Sequence, residues 1–229
     1  MAQQSERVLA TPALISSAAI GDAGRRLWRF TKRNPTMMAG MAVVVIIVLL
    51  AIFASMLWTQ DPIRPKPLNR FISPGSEHWF GTDNIGRDVY SRTIYGSRIS
   101  IIVGSAVALI SILSASVIGL LAGYYRRLDA IIMRFMDGLM SIPSVLLAMA
   151  LMALLGGSVQ NVIIALCVVE TPRAVRIVRS AVLSIREQMY VDAARALGIP
   201  PWRILALHIY PNTFAPLIVQ ATYIAALAV

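Results

Sequence analysis

Residue types that commonly carry out chemistry are few in this sequence, and their spacing matches no enzyme site. The two lysines, Lys32 and Lys66, do not follow a glycine, so the Gly-Lys-Ser/Thr loop that cradles phosphates is absent. His78 and His208 fall on opposite sides of the membrane in the predicted topology, and Cys167 is the only cysteine, so no pair has the spacing of a metal site. The sequence predicts no covalent chemistry, no metal and no cofactor held by this chain.

Glu170 is the one acidic residue placed well inside an apolar run. An ionisable group at such a position is a candidate functional site, because its burial is costly. Arg173 follows three residues later, so a paired structural carboxylate is an equally good interpretation. Glu170 is therefore a candidate intramembrane polar site with both interpretations open, and Thr171-Pro172 predicts a local bend beside it.

The elements that position these residues are apolar. Of the 229 residues, 57% are hydrophobic and 14% charged, with a mean hydropathy of +0.70, whereas about a quarter of a soluble domain is charged. The net charge is +10, but the basic residues lie between long apolar runs, which argues against nucleic acid as a partner. The fold class that follows is an all-α polytopic transmembrane helix bundle in a lipid bilayer.

Five runs are long enough to cross about 30 Å of hydrocarbon, which takes about 20 apolar residues. After an N-terminal tail at 1–36, the predicted spans are residues 37–58, 99–125, 130–155, 159–177 and 209–229. Residues 59–98 separate the first two, and residues 99–229 form a core domain with a loop at 178–208. Pro143 permits a kink in the third span, and the last run reaches Val229, so the chain is expected to stop inside or at the end of a bundle.

Small residues recur on the second span at three- and four-residue steps, a pattern that permits close helix approach. They are Gly104, Ala108, Ser111, Ala115, Gly119 and Gly123. Tight helix packing is the favoured interpretation of this face.

The basic residues orient the spans, because cytoplasmic loops are enriched in lysine and arginine. With the N-terminus in the cytoplasm, 15 of the 21 basic residues lie inside and the six in residues 59–98 lie outside. The opposite orientation reverses that bias. The sequence therefore predicts a cytoplasmic N-terminus.

The outer segment contains a polar motif directly before the second span. It reads Gly81, Thr82, Asp83, Asn84, Ile85, Gly86, Arg87, Asp88. Thr82 or Asp83 is a candidate helix N-cap, and Asp83/Arg87 and Asp88/Arg92 have the spacing of helical ion pairs. The favoured interpretation is a helix along the interface that turns inward at Ser97-Arg98, and the alternative is a direct role in receiving substrate.

The cytoplasmic segment 186–198 is rich in helix formers and ends at Gly198, which suits a left-handed cap. Pro200-Pro201 then predicts a turn and a new helix from Trp202. A patch centred on small residues is expected on the first helix, made of Met189, Tyr190, Ala193, Ala194 and Leu197. Such a patch suits docking in the groove of another protein, although a passive interfacial connector fits the residues equally well.

The same segment resembles the EAA loop of binding-protein-dependent ABC importer permeases. That pattern reads Glu-Ala-Ala, three residues, Gly, nine residues, then an apolar residue, any residue, Leu and Pro. Asp192-Ala193-Ala194, Gly198 and His208-Ile209-Tyr210-Pro211 match it throughout in spacing, with Asp192, His208 and Tyr210 as departures. The outer motif 81–88, Pro211-Asn212 and residues 215–220 are similar to the dipeptide/oligopeptide branch, and the resemblance covers about 25–229.

The resemblance implies a permease subunit of the bacterial inner membrane that carries peptides inward. Its implied partners are a second homologous permease subunit, two cytoplasmic ABC ATPase subunits that bind ATP and Mg, and a periplasmic solute-binding protein. The implied coupling residues are Tyr190, Asp192, Ala193, Ala194, Leu197, Gly198 and Pro211. Members of this family have six spans, one more than this chain is expected to contain.

Three alternatives remain open at the level of the sequence. Nickel, glutathione or another solute of the same family could replace the peptide, and a truncated, non-transporting remnant is the second option. A secondary transporter, the option from another class, normally has several interior charges and inverted repeats. Glu170 is the one interior charge available for it.

Overall fold

The computed structural model describes residues 34–57 and 60–229. The chain divides into two compact units, Met1–Trp58 and Thr59–Val229. In the first unit, α1 spans Pro35–Ile52 and a short 3-10 turn follows at Ala54–Met56. Pro35 stands at the start of α1, where its missing N–H costs no hydrogen bond. The apolar helix predicted at 37–58 is present and ends earlier, whereas most of the predicted tail lies outside the described residues.

The second unit begins with an irregular segment that contains a 3-10 turn at Pro67–Asn69. Its α-helices are α2 (Val89–Tyr124), α3 (Arg126–Met140), α4 (Ser144–Leu155), α5 (Val159–Arg186), α6 (Met189–Ala196), α7 (Pro201–Ile204) and α8 (Phe214–Leu227). A π-helical turn at Leu205–Ile209 and a 3-10 turn at Tyr210–Thr213 join α7 to α8. The described residues contain no named strand, so the all-α prediction is confirmed.

The centre of this unit is the long contact between α2 and α5. A Cβ added at Gly119 would lie 2.6 Å from Val178 Cβ, and one added at Gly123 would lie 2.6 Å from Val182 Cβ. Both distances are shorter than any ordinary carbon contact, so only glycine allows the two helices to approach this closely. The small-residue face predicted on α2 is therefore a packing face, and α8 lies against its other end near Gly104.

By length and apolarity, three helical stretches of the described residues can cross a membrane. They are Pro35–Ile52, Val89–Tyr124 and Pro201–Leu227, and α3 with α4 would make a fourth if the bent pair is one span. Five crossings were predicted. The difference is α5, which contains the predicted span 159–177 but carries Glu170, Arg173 and Arg176 in one stretch and is not among the apolar helices.

Two predicted boundaries are wrong. No helix begins at Thr82 or Asp83, and none turns at Ser97-Arg98, because α2 starts at Val89 and runs unbroken to Tyr124. Asp88 is its N-cap, and the Asp88 carboxylate accepts a hydrogen bond from the Ser91 amide.

The predicted helix 130–155 is two helices, α3 and α4, that meet at 87°. Pro143 stands immediately before α4 and disfavours helical geometry at the residue that precedes it. The kink expected at Pro143 is thus a complete break. Pro172, in contrast, lies within the continuous helix α5.

Candidate functional site

Helix α6 has one buried face and one exposed face. Val191 and Ala194 are 0% and 4% exposed and pack in the core with Ile204 and Ile209. The opposite face presents Met189, Ala193 and Leu197 at four-residue steps, which places them along one side of the helix. We call these three residues the exposed stripe. Met189 and Leu197 are 88% and 80% exposed, so this short helix has an exposed apolar surface.

The structure divides the patch predicted from the sequence. Ala194 was expected beside Ala193 on the docking surface, but it faces the core of this chain. A one-residue step on a helix turns the side chain by about 100°, so neighbours in sequence cannot both face outward on one narrow stripe. Tyr190 is 44% exposed and lies at the edge between the two faces.

Gly198 ends the helix as predicted, with a φ of +73°. The Gly198 amide donates to the Arg195 carbonyl at 2.9 Å, and the Ile199 amide donates to the Ala194 carbonyl at 3.2 Å. This pair of bonds is the Schellman motif, which closes a helix through a left-handed residue. A Cβ at Gly198 would meet no atom within 4 Å, so the backbone conformation alone requires glycine here.

The side chains of α6 connect it to the beginning of α8 and to the end of α2. The Asn212 amide nitrogen donates to the Tyr190 hydroxyl at 3.4 Å and to the His208 carbonyl at 2.7 Å. Arg195 donates to Asp192 at 2.9 Å and places its guanidinium 5.8 Å from the centre of the Tyr124 ring. Pro211 lies beside Asn212 in the 3-10 turn. Direct contacts therefore join α6 to both of these segments.

Sequence reasoning missed the ion pairs that join α3 to α5. Arg179 binds both carboxylate oxygens of Asp129, the second at 2.6 Å, and Arg176 lies 2.6 Å from Asp137. The Arg186 guanidinium also donates to the Gly123 carbonyl at 2.9 Å. Asp129 and Asp137 are the two acids of α3, and their presence opposite an arginine-rich helix was the available signal.

The outer motif forms a folded loop whose two glycines are both in the left-handed region. Gly81 has a φ of +72° and Gly86 a φ of +79°. A Cβ at Gly86 would lie 1.8 Å from the Lys66 carbonyl oxygen, and one at Gly81 would lie 2.5 Å from the Ile72 oxygen. Thr82 ties the same loop to the preceding chain, since its hydroxyl donates to the Asn69 carbonyl and accepts from the Ile72 amide.

Two carboxylates complete this loop. Burial by itself would raise the pKa of Asp83, but hydrogen bonds from the Arg87 and Ile85 amides and from the Arg87 guanidinium hold that pKa at about 2. The predicted Asp83–Arg87 pair exists at 2.8 Å, although in a turn rather than a helix.

The predicted Asp88–Arg92 pair does not form. Asp88 instead lies 2.9 Å from His78 Nδ1 and binds Ser91, whereas Arg92 contacts Asp83 at 3.1 Å. Residues 81–88 of the motif thus form a structural loop before α2.

Replacing Gly86 with alanine is expected to open this loop. The left-handed conformation alone costs about 1–3 kcal/mol for a non-glycine residue, and the overlap with Lys66 adds to it, so opening becomes at least roughly tenfold more frequent. The measurement is the rate of external trypsin cleavage after Arg70, which Phe71 follows. Gly75→Ala is the matched control, because its nearest atom would be 3.9 Å away. Equal cleavage rates in the two variants would contradict this account of the loop.

Glu170 does not pair with Arg173. The Arg173 guanidinium donates to the Tyr223 hydroxyl at 3.2 Å, and its central carbon lies 5.9 Å from the Tyr223 ring centre. The buried Glu170 Oε2 has no hydrogen-bond partner among the described residues. The interpretation of Glu170 as a paired structural carboxylate is therefore wrong.

The sequence places the chain in a transport family. Residues 115–229, half of the chain, match the family of the binding-protein-dependent transport system inner membrane component. Residues 23–74 match the N-terminal transmembrane domain of oligopeptide transport permease C. The chain belongs to this family of transmembrane permease components, as the resemblance of its cytoplasmic segment and outer motif implied.

Individual relatives agree with this assignment. The chain is 42% identical to a dipeptide transport system permease protein of Alkalihalophilus pseudofirmus, over 86% of this chain and 66% of the relative. It is 46% identical to a probable peptide ABC transporter permease protein of Sinorhizobium fredii, over 88% and 69%. A glutathione transport system permease protein of Pectobacterium atrosepticum is 34% identical, over 93% and 71%. The chain thus spans about two thirds of the length of these relatives.

Proposed function

We propose that this chain is a permease subunit of an ATP-binding-cassette importer that carries peptides inward across the bacterial inner membrane. Its proposed partners are a second homologous permease subunit, two cytoplasmic ATPase subunits and a periplasmic solute-binding protein. ATP and Mg are bound by the ATPase subunits. This chain supplies part of the peptide translocation pathway and the surface that connects this pathway to the ATPase subunits.

The observation that carries the proposal is the exposed stripe on α6. Met189, Ala193 and Leu197 form an apolar surface on a helix of only eight residues, whose other face is fixed in the core of the chain. An amphipathic helix of this kind docks its apolar side in a groove of a partner. Polar groups around the stripe, Asp192 and Arg195 among them, suit the wetter rim of such an interface.

The packing of α6 gives a route for mechanical coupling. Val191 and Ala194 bury against the same core as Ile204 and Ile209, which lie on the way to α8. The hydrogen bond between Asn212 and Tyr190 adds a polar link to that segment. When the ATPase subunits close, a displacement of α6 moves the cytoplasmic ends of α5 and α8 with it.

The proposed topology keeps the N-terminus and α6 in the cytoplasm. It is supported by the location of 15 of the 21 basic residues in the N-terminal tail and in the segments 126–134 and 173–203, which lie on that side in this topology. Helix α5 is more charged than the apolar helices named above. It is 28 residues or about 42 Å long, and it can cross the membrane with its charged second half toward the cytoplasm.

Peptides are the proposed substrate class because the relatives of highest identity given above are named as dipeptide or peptide permeases. Glutathione is the second candidate, since a glutathione permease is 34% identical over 93% of this chain.

The test is uptake by the full permease purified with its neighbours and reconstituted in vesicles. We expect dialanine uptake that requires ATP and the binding protein and that does not require an ion gradient. Uptake of glutathione in preference to dialanine would replace the proposed substrate. Uptake driven by an ion gradient without ATP would contradict the importer and favour a secondary transporter.

A further inference from the structure

We propose that the cleft at the junction of α3 and α4 is a binding site for the amino-terminal ammonium group of a peptide in transit, with Glu170 as its carboxylate. This inference rests on the proposed peptide transport function. The cleft has a volume of about 140 Å³. Its lining includes Met140, Pro143 and Ser144 from the junction and Glu170 and Arg173 from α5.

Glu170 is left without a partner in a place where an unpaired carboxylate is costly. Its Oε2 is fully covered and accepts no hydrogen bond from the described residues. Arg173 lines the same cleft one turn away, yet its guanidinium is directed to Tyr223 on α8. A buried acceptor that lacks a donor loses its hydration without compensation, which favours the arrival of a cationic donor from outside the chain.

The break between α3 and α4 adds polar backbone to the same cleft. Helix ends leave amide and carbonyl groups without intrahelical partners, and α4 begins at Ser144 with no side-chain cap. Irregular backbone at membrane depth occurs where it is buried in protein or lines a water-filled cavity, and broken helices frequently form substrate sites in transporters. Glu170 is eleven residues from the start of α5, about 17 Å along the helix, so the cleft lies away from both helix ends.

The size and charge of the cleft select one end of a peptide rather than the whole molecule. A volume near 150 Å³ holds a molecule the size of benzene, so about 140 Å³ accommodates one terminal residue. A carboxylate only accepts hydrogen bonds, and an ammonium group only donates them, with three N–H groups. The amino terminus is the cationic group that peptides share whatever their side chains, so this site would suit a transporter with broad side-chain tolerance.

The experiment places a cysteine in the cleft and measures the local charge and its occupancy. Ser144→Cys is made in the full transporter with Cys167→Ser, and the purified complex is treated with cationic aminoethyl methanethiosulfonate or neutral methyl methanethiosulfonate. We expect the rate with the cationic reagent, divided by the rate with the neutral reagent, to fall about fivefold or more when Glu170→Gln is added. The same ratio should stay high with Glu170→Asp, which keeps the carboxylate. Glu77→Gln, which removes an exposed carboxylate in the outer segment, should leave the ratio unchanged.

Peptide occupancy is read from protection of the same cysteine. An excess of dialanine should slow both reagents in the protein with Glu170, and N-acetyl-dialanine, which lacks the ammonium group, should not. Equal protection by both peptides, an unchanged rate ratio, or a cysteine that neither reagent reaches would each overturn the proposal. A cationic preference without dialanine protection would overturn the peptide assignment and leave a site for small cations. Failure of ATP-dependent dialanine uptake, in contrast, would refute the proposed function itself.

Discussion

Leu197→Glu is expected to abolish association of the permease with its ATPase subunits while the protein remains folded in the membrane. The Leu197 side chain is 80% exposed, so its replacement removes little packing within the chain. In the docked state, however, a carboxylate would enter an apolar groove. Loss of a central interface residue costs about 2–4 kcal/mol, equivalent to a roughly 30-fold or greater loss of affinity.

Co-purification of the ATPase subunits with a tagged permease measures this effect, and membrane abundance shows that the variant is made. Leu68→Glu is the matched control, because Leu68 is 99% exposed in the outer segment and the chemical change is identical. It should leave ATPase association unaltered. If the two variants retain the ATPase equally, the exposed stripe is a surface of a passive connector.

Gly198→Val is expected to reduce the same association without touching the exposed stripe. A β-branched residue resists the φ of +73° at a cost of about 1–3 kcal/mol, which opens the Schellman bonds and frays the last turn of α6. Leu197 lies in that turn, so its presentation to a partner is lost with it. Gly198→Ala should be milder, and Gly198→Asn milder still, since asparagine visits left-handed geometry with less penalty.

We expect ATPase association and dialanine-stimulated ATP hydrolysis to decrease in the order Gly, Asn, Ala, Val at position 198. Both are measured for the four proteins. No neighbouring atom would clash with a Cβ at this position, so side-chain volume alone predicts no graded loss. Equal activity across the four proteins would contradict a role for the left-handed cap in coupling.

Local features of the sequence predicted the helix end at Gly198 and the packing face of α2. Both depend on residues close in the chain, namely a glycine after a helical run and small residues at three- and four-residue steps. Asp192–Ala194 and Pro211 could be placed in one segment by their spacing, and the family assignment followed from it. The burial of Ala194 could not be predicted in this way, because it depends on where the core containing Ile204 and Ile209 lies.

The remaining errors also arose from contacts between distant residues. The start of α2 is at Val89 because Asp88 is held by His78 and Ser91 and because the preceding loop closes on Lys66, and helical spacing alone shows neither contact. Arg173 was expected to pair within its own helix, but Tyr223, fifty residues later in the chain, takes its guanidinium. Helical spacing shows which side chains of one helix can pair. It does not show whether a residue from another helix binds the same side chain after packing.

In the proposed transporter an ATPase subunit covers the exposed stripe of α6, and protection of a cysteine in that stripe measures this coverage. Ala193→Cys is made together with Cys167→Ser, and its alkylation by N-ethylmaleimide is timed in the permease pair alone and after the ATPase subunits are added. Gly75→Cys, in the outer segment, is the control for general effects of assembly. We expect rapid alkylation at position 193 in the permease pair and strong protection in the assembled transporter, with no change at position 75. Equal alkylation rates at position 193 in an assembled, ATP-hydrolysing complex would contradict this coverage.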